Sequence, residues 1–226
     1  MSIMRMATGR ARAFLLLGLV LALGACGTDR NPIFPAVFGA VRGIVLPGPS
    51  GLPDVRAQLT PEVLAAEDGP VLIVELPSAP TATVMTLGGT NRDTVTFGDA
   101  ASNLLILRGG VIVGTRGFGF DLMDADVSQT LRALAAGGGR AQRLHNYLDG
   151  EGKVLPRRFG CVLSRAGAEA VRLVSASVQA DVIVERCEGA LGGVFENRYW
   201  IAGGQVIKAR QWVSPQIGYI LTERAK

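Results

Sequence analysis

Three acids, Asp121, Asp124 and Asp126, fall within six residues of one another. Carboxylates gathered this closely suit calcium binding, or acid and base work on a glycosidic bond. The spacing lacks the alternating oxygen ligands, mid-loop glycine and terminal Glu of an EF-hand loop. A helical stripe, Val127, Leu131 and Leu134, follows directly, and acids in front of a helix serve as N-caps and complement its dipole. The single histidine, His145, lies in the strand-like RLHNYLD. One imidazole cannot build a His-rich metal site, and a Ser-His-Asp triad would depend on it alone. The alternation around it reads as an exposed or hydrogen-bonded strand residue. No G-x-S-x-G elbow, P-loop or H-E-x-x-H occurs. Gly117-Phe118-Gly119 lacks the third glycine of a dinucleotide fingerprint, and Gly137-Gly138-Gly139-Arg140 reads as a loop after a helix. The residues therefore point away from catalysis.

The three cysteines divide by position. Cys26 ends a tripartite leader, in which Met1 to Arg12 is basic, Ala13 to Leu23 is an apolar run of 11 residues, and Leu23-Gly24-Ala25 precedes the thiol. Such a run falls short of the ~20 residues that cross a bilayer as a helix. A buried core helix would show a polar face, and this run has none. The order basic, apolar, small is that of a secretory signal peptide, residues 1–25. LGAC also resembles the bacterial lipobox. That resemblance implies a diacylglycerol thioether on Cys26, cleavage just before it and an acyl chain on its new amine. Two or more chains anchor stably where one does not, and Gly27, rather than Asp, implies the outer membrane. Residues 26–35 are aperiodic, contain two prolines and read as a tether reaching about 30 Å when extended. Cys161 and Cys187 sit in the exported body, where an oxidising compartment and an even count favour a disulfide. The alternative is two free buried thiols. No histidine or third cysteine lies near either, so no zinc site is expected, nor any cofactor beyond the covalent lipid.

Charge and hydropathy shrink once the leader is set aside. The chain carries 23 Lys+Arg against 19 Asp+Glu, and 48% of it is apolar. Arg5, Arg10 and Arg12 belong to the leader, so the remaining 201 residues carry a net charge of +1. Their apolar share is about 45%, an ordinary globular value. This argues against a nucleic-acid-binding domain and against a multispanning membrane protein.

The elements that must position any site are mostly strands. Gly109-Gly110 separates Asn103–Arg108 from Val111–Arg116, and Gly203-Gly204 separates Phe195–Ala202 from Gln205–Val213. Paired glycines suit two-residue turns with positive φ at both positions. Asp149-Gly150 separates Arg143–Leu148 from Lys153–Leu163. Further strand-like runs are Val41–Leu46, Val71–Leu76, Thr81–Leu87, Asp93–Phe97, Val171–Ser175, Val178–Arg186 and Gln216–Thr222. Thr60-Pro61-Glu62 starts one short helix, and Asp126–Ala136 forms a second that stops at three glycines. No repeat or linker splits residues 36–226, which read as one all-β, antiparallel, barrel-like domain with one or two short helices.

Simple pairing about Gly203-Gly204 sets Ile201 opposite Val206, Trp200 opposite Ile207, Tyr199 opposite Lys208, Arg198 opposite Ala209, Asn197 opposite Arg210 and Phe195 opposite Trp212. Neither face of that hairpin is cleanly apolar. It should carry a hydrogen-bonded network or line a wet cleft, unless it is an edge hairpin meeting water.

Two segments carry a family likeness. Leu107–Leu122 (LRGGVIVGTRGFGFDL) and Asn197–Pro215 (NRYWIAGGQVIKARQWVSP) resemble the YjbF/GfcB family of outer-membrane lipoproteins, linked to group 4 capsule and exopolysaccharide loci. The matching positions are Thr115, Gly117, Gly119, Asp121 and Leu122, then Tyr199, Trp200, Arg210, Gln211, Trp212 and Pro215. The resemblance implies a barrel-like domain tethered to the outer membrane on its periplasmic face and associated with polysaccharide secretion, with no catalytic residues to carry over. The expected role is a non-enzymatic accessory that meets polysaccharide or export-machinery proteins through Tyr199, Trp200, Arg210 and Trp212; the other reading of these four is upkeep of the fold. A lipid or lipoprotein carrier with a barrel cavity is one alternative. A glycan-modifying enzyme using Asp121, Asp124 and Asp126 is another.

Overall fold

Runs that alternate apolar and polar residues bury one face each, and short glycine turns make consecutive runs pair in order. The computed structural model describes residues 54–226 apart from Leu191. The leader, Cys26, the tether and the expected strand Val41–Leu46 lie outside the described residues. The strands are β1 (Val71–Leu76), β2 (Thr81–Asn91), β3 (Thr94–Gly98), β4 (Leu104–Arg108), β5 (Val111–Arg116), β6 (Asp124–Asp126), β7 (Gly139–Leu148), β8 (Val154–Arg172), β9 (Ser177–Gly189), β10 (Val194–Ala202), β11 (Gln205–Ser214) and β12 (Gly218–Arg224). Two helices accompany them, α1 (Pro61–Ala66) and α2 (Ser128–Ala135).

All twelve strands join one sheet in the order β5-β4-β3-β2-β1-β12-β11-β10-β9-β8-β7-β6. Two meanders, β1 to β5 and β6 to β12, meet where β1 pairs antiparallel with β12, Leu72 opposite Arg224 and Val74 opposite Thr222. The outer edges then curl toward each other. Thr115 N donates to Leu122 O at 2.9 Å, and Met123 N donates to Asn146 O at 2.9 Å. The Arg116 guanidinium donates to the carbonyls of Leu122 and Met123 at 3.1 and 3.2 Å. The sheet is thus a nearly closed barrel, in which few backbone groups are left on an open edge.

β1 reads as a continuous apolar run because both its faces are covered. Leu72 and Val74 face the barrel core, whereas Val71 and Ile73 pack with Val55, Leu59 and Leu64 from the α1 region. Thr60 Oγ1 accepts from Val63 N at 3.3 Å and Pro61 opens α1, as its sequence predicts. At the other end of α2, Gly137 (φ +77°) lets the N–H groups of Gly137 and Gly138 return to Leu134 O and Ala133 O at 3.1 and 2.8 Å. Leu131 of α2 packs against Gly109, so the helix covers the barrel end that also holds the Gly109-Gly110 and Gly203-Gly204 turns.

Two local expectations are corrected. Lys153–Leu163 and Val171–Ser175 are not separate strands: β8 runs unbroken for 19 residues, through a bulge between Arg165 and Ala168 where Gly167 takes φ +106°. The stretch between the expected strands is exposed on both faces, so it carries no apolar alternation. The β10–β11 register also departs from simple pairing. Ile201 faces Val206 as expected, but a bulge at Ile207 then sets Trp200 opposite Lys208, Tyr199 opposite Ala209 and Arg198 opposite Arg210. One extra residue moves the side chains from Lys208 to Gln211 to the other face, whereas Trp212, past the last paired residues, stays beside Phe195. Lys208 and Arg210 go outward, and Ala209, Gln211 and Val213 go inward, where they are buried. The hairpin is also central rather than an edge, flanked by β9 and β12.

Candidate functional site

Period-two alternation puts Ala141, Arg143, His145 and Tyr147 of β7 on the inner face, all buried. Glu185 of β9, Asn197 and Tyr199 of β10 and Thr130 of α2 meet them there, each at 0% exposure. Glu185 Oε2 accepts from Arg143 Nη1 at 2.7 Å, Asn197 Nδ2 at 2.8 Å and Tyr199 OH at 2.8 Å. Its Oε1 accepts from Thr130 Oγ1 at 2.8 Å. Burial pushes the Glu185 carboxyl up, but the Arg143 charge and the donors Asn197, Thr130 and Tyr199 outweigh it and hold the group below the usual carboxylate range. Burial, then the Glu185 charge, pushes the Tyr199 phenol well up, so it stays a donor. Asn197 Oδ1 accepts from Trp212 N at 2.7 Å, bridging to β11 beyond the last paired residues, Arg198 and Arg210. Every oxygen of Glu185 is engaged by protein donors, so this network orders the interior rather than presenting an acid to a substrate.

The two family-like segments meet across the barrel. Gln211, 1% exposed, accepts from Ile112 N at 2.9 Å and donates to Gly110 O at 2.9 Å. A side chain of β11 thereby satisfies the free edge of β5. In the first segment, Asp121 is consumed by a turn. Its Oδ1 accepts from Thr115 Oγ1 at 2.7 Å and Phe118 N at 3.3 Å, and its Oδ2 accepts from Gly117 N at 2.9 Å. Thr115 Oγ1 accepts in turn from Leu122 N at 3.0 Å. Gly117 and Gly119 sit at φ +88° and +117°, and a Cβ on Gly117 would lie 2.4 Å from Asn103 Oδ1. Asp121, Asp124 and Asp126 are not gathered: Asp124 Oδ2 accepts from Asn146 Nδ2 at 3.4 Å, and Asp126 Oδ1 from Ser128 N at 2.9 Å.

The barrel end away from α2 is open and walled by rings. Phe120 stacks on Tyr147 with centroids 5.1 Å apart, Phe195 stacks on Trp212 at 4.6 Å, and Phe159 meets Phe195 edge-on at 5.0 Å. They line a cleft of about 720 Å3 together with Leu155, Pro156, Val194, Pro215, Gln216 and the glycines of the β9–β10 loop. Its two charged lining residues are Arg157 and Arg158, and no carboxylate lines it. Neither arginine is in an ion pair among the described residues. The volume falls in the range of small-ligand clefts, about 300–1,000 Å3.

His145 lies behind that wall, fully buried, with its ring 5.1 Å from Phe159 and 6.1 Å from Trp212. It is not exposed. Tyr147 OH donates to Val213 O, so its oxygen accepts from His145 Nδ1–H at 3.0 Å, and Nε2 is left as an acceptor without a protein partner. Burial, then the Arg143 charge, pushes the imidazole well below its ordinary range, so it is neutral.

The expected aromatic-Arg surface is therefore divided among three places. Tyr199 is inside the network, and Trp212 and Pro215 line the cleft. Trp200 lies on the outer face, donating to Glu169 Oε2 at 2.8 Å between Arg198 and Lys208, whose charges sit 5.2 and 5.7 Å from its ring. Arg210 covers the Tyr219 ring at 3.3 Å. Cys161 and Cys187 are direct partners across β8 and β9, with Cα atoms 4.1 Å apart, and form a disulfide. Among the described residues, the grouped metal-type ligands are Cys161, Glu185 and Cys187, and this disulfide and the Arg143 pairing occupy all three.

Sequence reasoning missed Arg143, Glu185, Asn197, Phe120, Phe159, Phe195, Arg157 and Arg158 as site members. Parity was an available signal, since Glu185 shares a face with Ile183 and Cys187, both buried. The aromatic wall had none, because its rings come from the β5–β6 connection, β7, β8, β10 and β11 and meet only when the barrel forms.

No curated protein matches the chain. Among solved structures, the hypothetical lipoprotein YmcC from Escherichia coli K12 is similar in fold, with TM-score 0.65 and 18% identity over 73% of this chain and 87% of that one. A putative exported protein with a YmcC-like fold from Bacteroides fragilis NCTC 9343 matches at TM-score 0.29 and 10% identity, over 71% of this chain and 96% of its own. The family profile described as group 4 capsule polysaccharide lipoprotein GfcB, YjbF matches residues 35–224. With the barrel and both motif segments inside that span, the chain belongs to the YjbF family of capsule polysaccharide lipoproteins.

Proposed function

We propose that this chain is a lipid-anchored, non-catalytic accessory of capsule or exopolysaccharide assembly and export, and that the aromatic cleft holds glycan. Cys26 carries the lipid at the outer membrane, and residues 26–35 link it to the body. The observation that carries the reading is the open wall of Tyr147, Phe159, Phe195 and Trp212 at one barrel end. Aromatic faces are negative at their centres and receive the C–H faces of sugar rings. The acids that would serve glycoside chemistry are spent on a turn, a strand contact and a helix start, and none of them lines the cleft.

The test replaces Trp212 with Leu and, separately, Trp200 with Leu. Trp212→Leu lowers polymer at the cell surface at unchanged protein abundance, and Trp200→Leu does not. Secretion that merely tracks protein abundance in both variants overturns the reading. A second reading, a lipid or lipoprotein carrier, is favoured by one observation: Leu155, Phe159, Val194 and Phe195 make much of the cleft wall apolar. Phospholipid retained in a 1:1 complex through delipidation, and lost in Trp212→Leu, decides for the carrier.

A further inference from the structure

We infer that the cleft selects an acidic stretch of glycan, one bearing carboxylate or another fixed negative charge on its sugars, with Arg157 and Arg158 reading the charge and Trp212 the ring. This rests on the glycan reading and adds the chemical class of ligand. Three observations carry it. The cleft has two cationic side chains and no acid among its lining residues. Six arginines elsewhere in the described residues are paired with carboxylates: Arg56 with Glu75 and Glu223, Arg108 with Asp93, Arg143 with Glu185, Arg165 with Asp181, Arg186 with Glu196 and Arg198 with Glu169. Arg157 and Arg158 have no such partner and are exposed at the mouth. Burial pushes the Tyr147 phenol in the wall up, and the Arg143 charge, then the Arg157 charge, works against that push. An anion entering the cleft therefore meets uncompensated positive charge above an aromatic floor, where a guanidinium fork matches a carboxylate in geometry.

An acyl chain satisfies only half of this site. It fills the apolar wall, but the chamber is an open cleft rather than an enclosed tunnel, and rings rather than aliphatic side chains dominate it. A neutral sugar uses the rings and leaves both cations idle.

The closing experiment uses the full chain in detergent with three probes: tetragalacturonic acid, its methyl ester, and phosphatidylglycerol. Trp212 fluorescence, isolated in a Trp200→Leu background, reports cleft occupancy, and the ring 15N signal of His145, the chain's one histidine, reports the same wall independently. The acid binds at least tenfold more tightly than the ester, and the preference falls below twofold in Arg157→Gln/Arg158→Gln and at high salt. Both substitutions are exposed, so the fold survives them, and an unchanged His145 signal in the free variant verifies this. Equal binding of acid and ester overturns the charge selection while leaving the glycan reading standing. An acid preference that persists in the double variant overturns the assignment to these arginines. Failure of both sugars, or a 1:1 phosphatidylglycerol complex lost in Trp212→Leu, overturns both readings.

Discussion

Replacing Glu185 with Gln tests whether the interior network holds the barrel. The carboxylate lies 2.7 Å from the Arg143 guanidinium, and the two side chains are 0% and 1% exposed. Gln keeps the shape and can still accept from Asn197 and Tyr199 if its oxygen takes the Oε2 position. It leaves the Arg143 cation buried without a counter-charge, and breaking a buried pair from one side costs about 3–5 kcal/mol. That is a large share of the ~5–15 kcal/mol by which a domain is stable. Arg143→Met removes the cation and strands the carboxylate among neutral donors, with a similar loss. The pair Arg143→Met/Glu185→Gln removes both charges together, and its loss is smaller than either single one, since uncharged occupants of a buried ion-pair site are often nearly neutral. Equilibrium urea denaturation at constant m-value reads all three, and the double-mutant cycle isolates the coupling. The pH profile supplies a second reading. The Glu185 carboxyl is lowered in the fold, so its contribution is complete above the unfolded value of about 4.3 and is lost as pH falls through the folded value. Glu185→Gln removes that acid loss. Single variants within about 1 kcal/mol of the parent, or a double variant that shows the sum of the two, refute the reasoning.

Gln211→Leu strands Ile112 N and Gly110 O, and at about 1–3 kcal/mol for each orphaned group the loss is roughly 2–6 kcal/mol; hydrogen exchange at the Ile112 amide accelerates more than at amides of β9. His145 is lowered in the fold, so the stability it contributes is full above about pH 6.5 and declines as pH falls below that value toward its folded one. Denaturation midpoints measured across this window lose the slope in His145→Gln. Gly110→Ala places a Cβ 2.5 Å from Val206 Cβ at φ +82°, so thermal unfolding shifts down by the equivalent of at least ~1 kcal/mol, whereas Gly150→Ala, which meets nothing within 4 Å, is neutral. Cys161→Ser/Cys187→Ser opens a loop with a sequence separation of 26 and lowers stability by roughly 3.5 kcal/mol, read from the shift in urea midpoint.

Glycine turns made much of the sheet legible. Val71–Leu76 and Val111–Arg116 are bounded as their sequence reads, because strong alternation or a covered pair of faces ends at a turn residue in each. The helix start at Thr60-Pro61 follows from capping chemistry alone. The face assignment of β11 was not legible, since a bulge at Ile207 reverses parity and no residue type marks it. The same parity problem hides the interior. In QRLHNYL both faces mix polar and apolar side chains, and the inward one carries Arg143, His145 and Tyr147 only because Glu185, Tyr199 and Val213 wait there to satisfy them. The segment Asn197–Pro215 lies within the span that the family profile matches. Yet its aromatic and arginine residues serve three different neighbourhoods, which spacing along one strand pair cannot separate.

Because β1 pairs with β12, the barrel cannot assemble in the order in which its strands are made. A chain delivered amino end first can zip β1 to β5 through short turns. It then has two unfinished borders, the outer side of β1, which awaits β12, and the free side of β5, which awaits Gln211. Both are satisfied only by late-arriving strands, and such long-range pairing sets a slow pace. In the interval those borders are sticky templates for other strands. Arrival of Gly218–Arg224 thus acts as a completion signal: until it pairs with β1 the body stays open, and the finished chain has its seam sewn from the rear.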